Sequence, residues 1–252
     1  VGEIMGAIYI LWLRQLKRYY RSRARIIGSL GQPLLFLLAL GYGFGPIFEK
    51  AGQGSYVQFL APGIIAMSII FTALFSGIEI IWDKQFGFLK ETLVAPVSRM
   101  KIMIGRTLGG ATVAVLQGVI VLFIALLVGF RPISWLLVPV SLMVMVLIAL
   151  LFAALGTAIA SKLEDMQGFQ LIMNFIIMPI FFLSGALFPL KQMPDTLLFI
   201  AKLDPLSYGV DGLHYLLTGQ GALGLHFDFI VLAIVVGVLL FIGSWLFSKI
   251  EI

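Results

Sequence analysis

The chain alternates long apolar runs with short charged ones. Residues 26–48, 51–78, 107–130, 132–161, 166–190 and 229–248 contain no Asp, Glu, Lys or Arg. These runs are 23, 28, 24, 30, 25 and 20 residues long. A helix of about 20 apolar residues crosses a hydrocarbon core of about 30 Å, so each run can span a membrane. None has the polar face that a helix of a soluble bundle needs. None shows the period-two alternation of a membrane β-strand. The pattern predicts an all-α membrane protein with six transmembrane helices, built as one domain over residues 1–252.

Three polar segments have helical patterns of their own. In residues 1–25, Arg14, Arg18, Arg21 and Arg25 fall at i, i+4, i+7 and i+11 and form one stripe. Ile4, Ile8, Trp12, Leu16 and Tyr19 form another. This predicts an amphipathic helix at the membrane interface, its arginines toward lipid phosphate and water. Either a topology anchor or a partner contact accounts for it. Residues 191–227 hold two short Leu-rich patterns. The first begins after Pro194 and stops before Pro205; the second ends at Gly219, a helix-terminating residue. They are expected to be a re-entrant pair before the last span, buried in protein or lining a cavity. In the loop over residues 83–99, Phe86, Leu89 and Leu93 fall at i, i+3 and i+7 beside Lys84, Lys90 and Glu91, and Pro96 ends the pattern. An apolar edge on a water-facing loop suits docking into a groove of another protein. The other reading is packing on the protein's own helix ends.

Composition agrees with a membrane solvent. The chain is 61% hydrophobic and 12% charged, with mean hydropathy +1.09, against about 25% charge in soluble domains. The net charge is +5, but its distribution matters more. With both termini in the cytoplasm, thirteen Lys and Arg residues fall inside and four outside. This is a positive-inside bias, so the basic excess reports topology rather than nucleic acid. Without cysteine, neither disulfides nor thiolate metal sites arise.

The chain has no G-x-x-x-x-G-K-[ST] loop for nucleotide phosphates and no H-E-x-x-H. Ser184 lacks the preceding Gly of a nucleophile elbow. His214 and His226, twelve apart, give a weak metal signal beside an interfacial polar role. Glu79 lies inside a span pattern, where ionisable groups are expensive. It either pairs with an inner-helix arginine or makes a helix-facing hydrogen bond in a substrate path. The fifth run holds Asn174, Pro179, Ser184 and Gly185. Pro179 removes a helix hydrogen bond, and Ser184 and Gly185 permit close helix approach. With Asp204 and Pro205 these are the candidate pathway or gate residues.

Four stretches in chain order carry a resemblance: YVQFLAPGIIAMS at 56–68, LKETLVAPVSR at 89–99, PIFFLSGALFPL at 179–190 and LDPLSYGVDGLHY at 203–215. With the basic amphipathic start and six spans, the chain resembles the type-2 ATP-binding cassette export permeases, which move drugs, lipids and polysaccharides. The third and fourth stretches are most similar to the multidrug and daunorubicin-export branch. The resemblance implies a homodimer in a prokaryotic cytoplasmic membrane, working with a separate ATPase subunit that holds ATP and Mg. This chain would carry no cofactor and perform no catalysis. The 83–99 loop would be the coupling helix, with Phe86, Phe88, Leu89, Glu91 and Leu93 as its contacts. The N-terminal helix would also touch the ATPase, and the re-entrant pair would close the path outward. The cargo would be amphipathic, lipid-like or drug-like. Alternatives are a polysaccharide or glycolipid cargo, or an ion-coupled secondary transporter using Glu79.

Overall fold

The computed structural model describes residues 2–52, 54–87 and 97–248. Among these the regular structure is helical: α1 (Gly2–Arg21), α2 (Arg23–Lys50), α3 (Tyr56–Phe75), α4 (Ile78–Gln85), α5 (Arg99–Val128), α6 (Val138–Lys162), α7 (Met166–Leu183), α8 (Asp195–Leu203), α9 (Pro205–Thr218) and α10 (Leu225–Ser248). Six segments are long and apolar enough to cross a membrane: 26–50, 56–85, 99–128, 135–162, 166–183 and 225–247. The six predicted spans are therefore present, with different ends.

The central element is α3. Ile64, Ile65, Ile69 and Ile70 have no exposed surface, as expected for a helix that is apolar all round and enclosed on all sides. It packs against α2, α5, α6 and α9. Backbone contacts set two of these approaches. A Cβ on Gly77 would lie 2.4 Å from the Gly156 carbonyl oxygen on α6, and one on Gly156 would lie 2.3 Å from the Leu74 oxygen. The two segments cross here with nothing but backbone between them. Nearer the start of α3, a Cβ on Gly63 would lie 2.3 Å from the Ala186 carbonyl oxygen.

Three expectations change. The second span does not stop at residue 78. It passes through the Ser76–Gly77 join into α4 and carries Glu79, Asp83 and Lys84. The fifth span stops at Leu183 rather than 190. Ser184 donates back to the Phe181 carbonyl at 2.8 Å, and Gly185 turns the chain at φ +82°. The close approach assigned to Ser184 and Gly185 is made by their neighbour Ala186 on Gly63. Finally, Phe86 does not continue the helix that bears Lys84. It closes α4, and Gly87 follows at φ +78°, a left-handed conformation that ends a helix. Phe88, Leu89, Glu91 and Leu93 lie outside the described residues.

The short helices fall where the sequence puts them. Pro194 precedes α8, Asp204 separates it from α9, and Gly219 ends α9. α9 is buried over most of its length and packs on α3, α6 and α10.

Candidate functional site

The largest concentration of partnered charge lies at the end of the bundle where α4, α5 and α1 meet. Glu79 and Asp83 are one turn apart on α4, so they share a face. Both are buried. Asp83 accepts a hydrogen bond from Arg106 of α5, a side chain itself only 4% exposed. It also meets Arg14 of α1 at 3.4 Å. Arg18, one turn beyond Arg14, reaches Glu79 at 3.5 Å, and its guanidinium lies 5.6 Å from the centre of the Trp82 ring. The pairing of Arg14 with Asp83 and of Arg18 with Glu79 means α1 and α4 run antiparallel. Of the two readings of Glu79, pairing with an arginine is observed, and the structure places that arginine, Arg18, on the N-terminal helix.

The opposite side of α4 is held differently. Lys84 Nζ donates to the carbonyls of Ser161 at 2.6 Å, Leu163 at 3.1 Å and Ala160 at 3.4 Å. Gln85 Nε2 donates to Glu164 at 3.0 Å. The last carbonyls of a helix have no partner within it and form the negative end of its dipole. An ammonium there satisfies both demands. α4 is thereby fixed to α1, α5 and the end of α6 together, and the residue that caps it, Phe86, is 66% exposed beside Trp82.

α1 runs along α5 rather than standing apart from the bundle. Ile8 and Leu11 lie against Gly105, and Trp12 and Gln15 against Gly109. Trp12 Nε1 donates to Thr112 at 3.0 Å and the Tyr19 hydroxyl to Gln117 at 2.7 Å. Ile8, Trp12 and Tyr19 of the predicted apolar stripe thus pack on protein. Arg14 and Arg18, expected to face lipid phosphate and water, turn to carboxylates because α4 presents a buried acid to each. Arg21 is exposed; the side chain of Arg25 lies outside those described.

At the far end, Asp204 caps α9 by accepting from Leu206 N at 2.8 Å, and Pro205 is its first residue. Asp211 accepts from the N–H groups of Ala222 and Leu223 at 2.7 and 2.8 Å. His214 bonds the Phe59 carbonyl at 2.8 Å and stacks on the Phe59 ring, whereas His226 is exposed. Burial holds the His214 imidazole below its ordinary value, so it is neutral at neutral pH. The Tyr56 hydroxyl donates to the Leu187 carbonyl at 3.0 Å and ties the turn after α7 to the start of α3. Asn174 and Pro179 are exposed on α7, on the side bearing Leu171, Phe175, Met178 and Phe182. The candidate gate residues therefore do not converge. Glu79 belongs to the ion-paired end, Asn174 and Pro179 to an outward face, and Ser184, Gly185, Asp204 and Pro205 to far-end turns.

Asp204 gives a pH prediction. Burial pushes its carboxyl up to about 7. The unfolded carboxyl ionises near pH 4, so the folded state loses stability as pH rises from about 4 to about 7 and no further above that. Asp204→Asn keeps the cap and removes the charge. Its melting temperature should exceed that of the unaltered protein at pH 8 by at least about 3 °C, with the gap closing toward pH 4.5. A gap independent of pH would contradict this.

Sequence reasoning missed Arg106 and Lys84. Arg106 carries a signal, since it directly precedes the third apolar run and lies on the same helix. The Lys84 contact had none, because its acceptors are backbone atoms of a distant helix.

A family model described as ABC-2 type transporter matches residues 6–218. The chain belongs to the ABC-2 type transporter family. Among its relatives, Nodulation protein J of Rhizobium leguminosarum bv. trifolii is 30% identical over 214 residues, covering 84% of this chain and 79% of that protein. The transport permease ycf38 of Porphyra purpurea is 30% identical over 260 residues, covering 98% and 89%. The ycf38 permease of Pyropia yezoensis is 33% identical over 221 residues, covering 85% and 75%. As an ABC-2 transport permease, this chain is a multi-span membrane protein in which the ion-paired end and the far-end turns cap opposite ends of the α3–α4 helix pair.

Proposed function

We propose that this ABC-2 permease is the membrane subunit of an ATP-driven exporter. It moves an amphipathic, lipid-like or drug-like substrate out of the cytoplasm while a separate ABC ATPase subunit binds ATP and Mg and hydrolyses the nucleotide. The observation that carries this reading is the fastening of α4. α4 leads directly into residues 88–96 and is bonded to α1, α5 and the end of α6. A push arriving on the loop at Phe86, Phe88, Leu89, Glu91 and Leu93 would be delivered to three further helices at once. This chain then supplies the path and the mechanical link, and the partner supplies the chemistry.

Two copies facing one another would form the path, with the exposed face of α7 around Asn174 and Pro179 turned toward it. The positive-inside distribution supports a topology with α4, α1 and both termini in the cytoplasm of a prokaryotic cell. α8 and α9 would then close the outer end. Alternating access follows from near-rigid movement of the helices about their contacts.

The test is co-purification with the cognate ATPase, followed by ATP-dependent transport in liposomes. Phe86→Ala combined with Leu89→Ala should lower ATPase capture at least about tenfold, the expected effect of removing two apolar anchors from a small interface, while the permease still folds. Unchanged capture and unchanged coupled ATPase activity would refute the docking assignment.

A further inference from the structure

We infer that the crook between α1, α2 and α3 is a binding site for an anionic amphiphile. The crook holds a cavity of about 190 Å³ lined by Tyr19, Ser29, Gln32, Phe71, Thr72 and Phe75. The Phe71 and Phe75 rings are stacked, 6.3 Å apart and 16° from parallel, and give it an apolar wall. Two polar groups face it without protein partners. Neither the Gln32 amide nor the Thr72 hydroxyl has a hydrogen bond among the described residues. Behind Tyr19, the Gln117 side chain is fully buried and its Nε2 is likewise unpartnered.

Depth makes this informative. Gln32 is seven residues along α2 from Arg25, the nearest basic residue of that helix, about 10 Å at the helical rise. Its side chain is too short to return the amide to the level of the basic residues. A polar group inside hydrocarbon must find a partner. The described residues supply none, so an ester, amide or hydroxyl of a bound molecule is the partner that fits.

Charge selects the rest of the ligand. A second cavity of about 670 Å³ is lined by Arg14, Lys17, Arg18 and Arg21 of α1. The turn from Tyr19 to Ser22, closed by a 3.1 Å backbone bond, borders both cavities. Glu79 and Asp83 neutralise Arg18 and Arg14. Lys17 and Arg21 are exposed and make no ion pair among the described residues. The local excess is positive and suits a phosphate, sulfate or carboxylate head, with the apolar portion of the same molecule in the crook. A helix of a second copy, about 10 Å across, is too wide for a cavity of this volume, whereas an alkyl or ring segment fits. The molecule comes either from the bilayer or from the cargo. Only the cargo source rests on the proposed function.

The full chain in liposomes, without ATPase, tests the site, so its failure is distinct from failure of the exporter reading. The probes are phosphatidylglycerol, dodecyl phosphate and phosphatidylcholine, each carrying a diazirine in the chain. The two anionic probes should label residues 28–33 and 67–75 about tenfold more than phosphatidylcholine. Gln32→Leu with Thr72→Val should cut that labelling about tenfold, the loss expected for two hydrogen bonds. Lys17→Gln with Arg21→Gln should abolish the preference for anionic probes. Phosphatidylglycerol labelling that dodecyl phosphate cannot displace assigns a resident lipid, and displacement assigns a single-chain cargo; both support the site. As an independent readout in an otherwise unaltered pocket, Phe71→Trp fluorescence should be quenched more by brominated phosphatidylglycerol than by brominated phosphatidylcholine. Equal labelling by all three probes, no effect of the Gln32 and Thr72 changes, or efficient disulfide joining of two copies through Gln32→Cys would overturn it.

Discussion

Arg106→Met should lower the melting temperature of the purified permease by about 10 °C. Arg106 and Asp83 are both nearly inaccessible to solvent. Removing one member of a buried ion pair leaves the other charged and unpaired, at a cost of about 3–5 kcal/mol. For a chain of this size each kcal/mol moves the midpoint by roughly 2–4 °C. Arg14 remains near Asp83 but is 47% exposed, so water screens it and it compensates little. The diagnostic variant is the double change Arg106→Met with Asp83→Leu. Replacing a buried pair by apolar residues is often neutral, so the double variant should recover at least half of the loss. Size-exclusion recovery after graded heating measures both. If the double variant melts no higher than the single one, the pair is not what holds α4 to α5.

Gly156→Ala should be nearly as damaging for a different reason. The added methyl would lie 2.3 Å from a carbonyl oxygen of α3, and no flexible side chain is there to yield. The helices must separate, and overpacking of this kind costs about 1–3 kcal/mol or more. Gly237→Ala on α10 is the control, since nothing lies within 4 Å of its added carbon. It should melt at or above the unaltered protein, because alanine favours a helix by about 1 kcal/mol over glycine. Equal behaviour of the two variants would remove the crossing as a determinant of the fold.

The sequence exposes the spans because a membrane excludes charge from helix faces turned to lipid. Their ends were harder to read, since a charge is tolerated inside a helix once another helix pairs it. Glu79 and Asp83 looked like the limit of the second span, yet α4 continues past both because Arg18, Arg14 and Arg106 meet them. The fifth run misleads in the opposite sense. Residues 184–190 stay mostly apolar because they are packed on α3, not because they are helical. The α8–α9 pair was legible almost to the residue, because Pro194, Pro205 and Gly219 act locally. The ion-paired end was half legible. That Glu79 pairs with an inner-helix arginine is one of two sequence readings, but nothing local singles out Arg18. The Asp83–Arg106 contact spans 23 residues and the Lys84–Ser161 contact spans 77, and no local pattern encodes either.

The bare backbone crossing of Gly77 and Gly156 divides the second span unequally. Eight residues, about 12 Å of helix, run from Gly77 to Gln85, and twenty-one, about 31 Å, run back to Tyr56. With no side chains interleaved at the crossing, rotation there requires no change of rotamer, so it serves as a fulcrum. If the two arms swing as one body, a 1 Å displacement beside the 88–96 loop becomes about 2.5 Å at Tyr56, where the far-end turns are held.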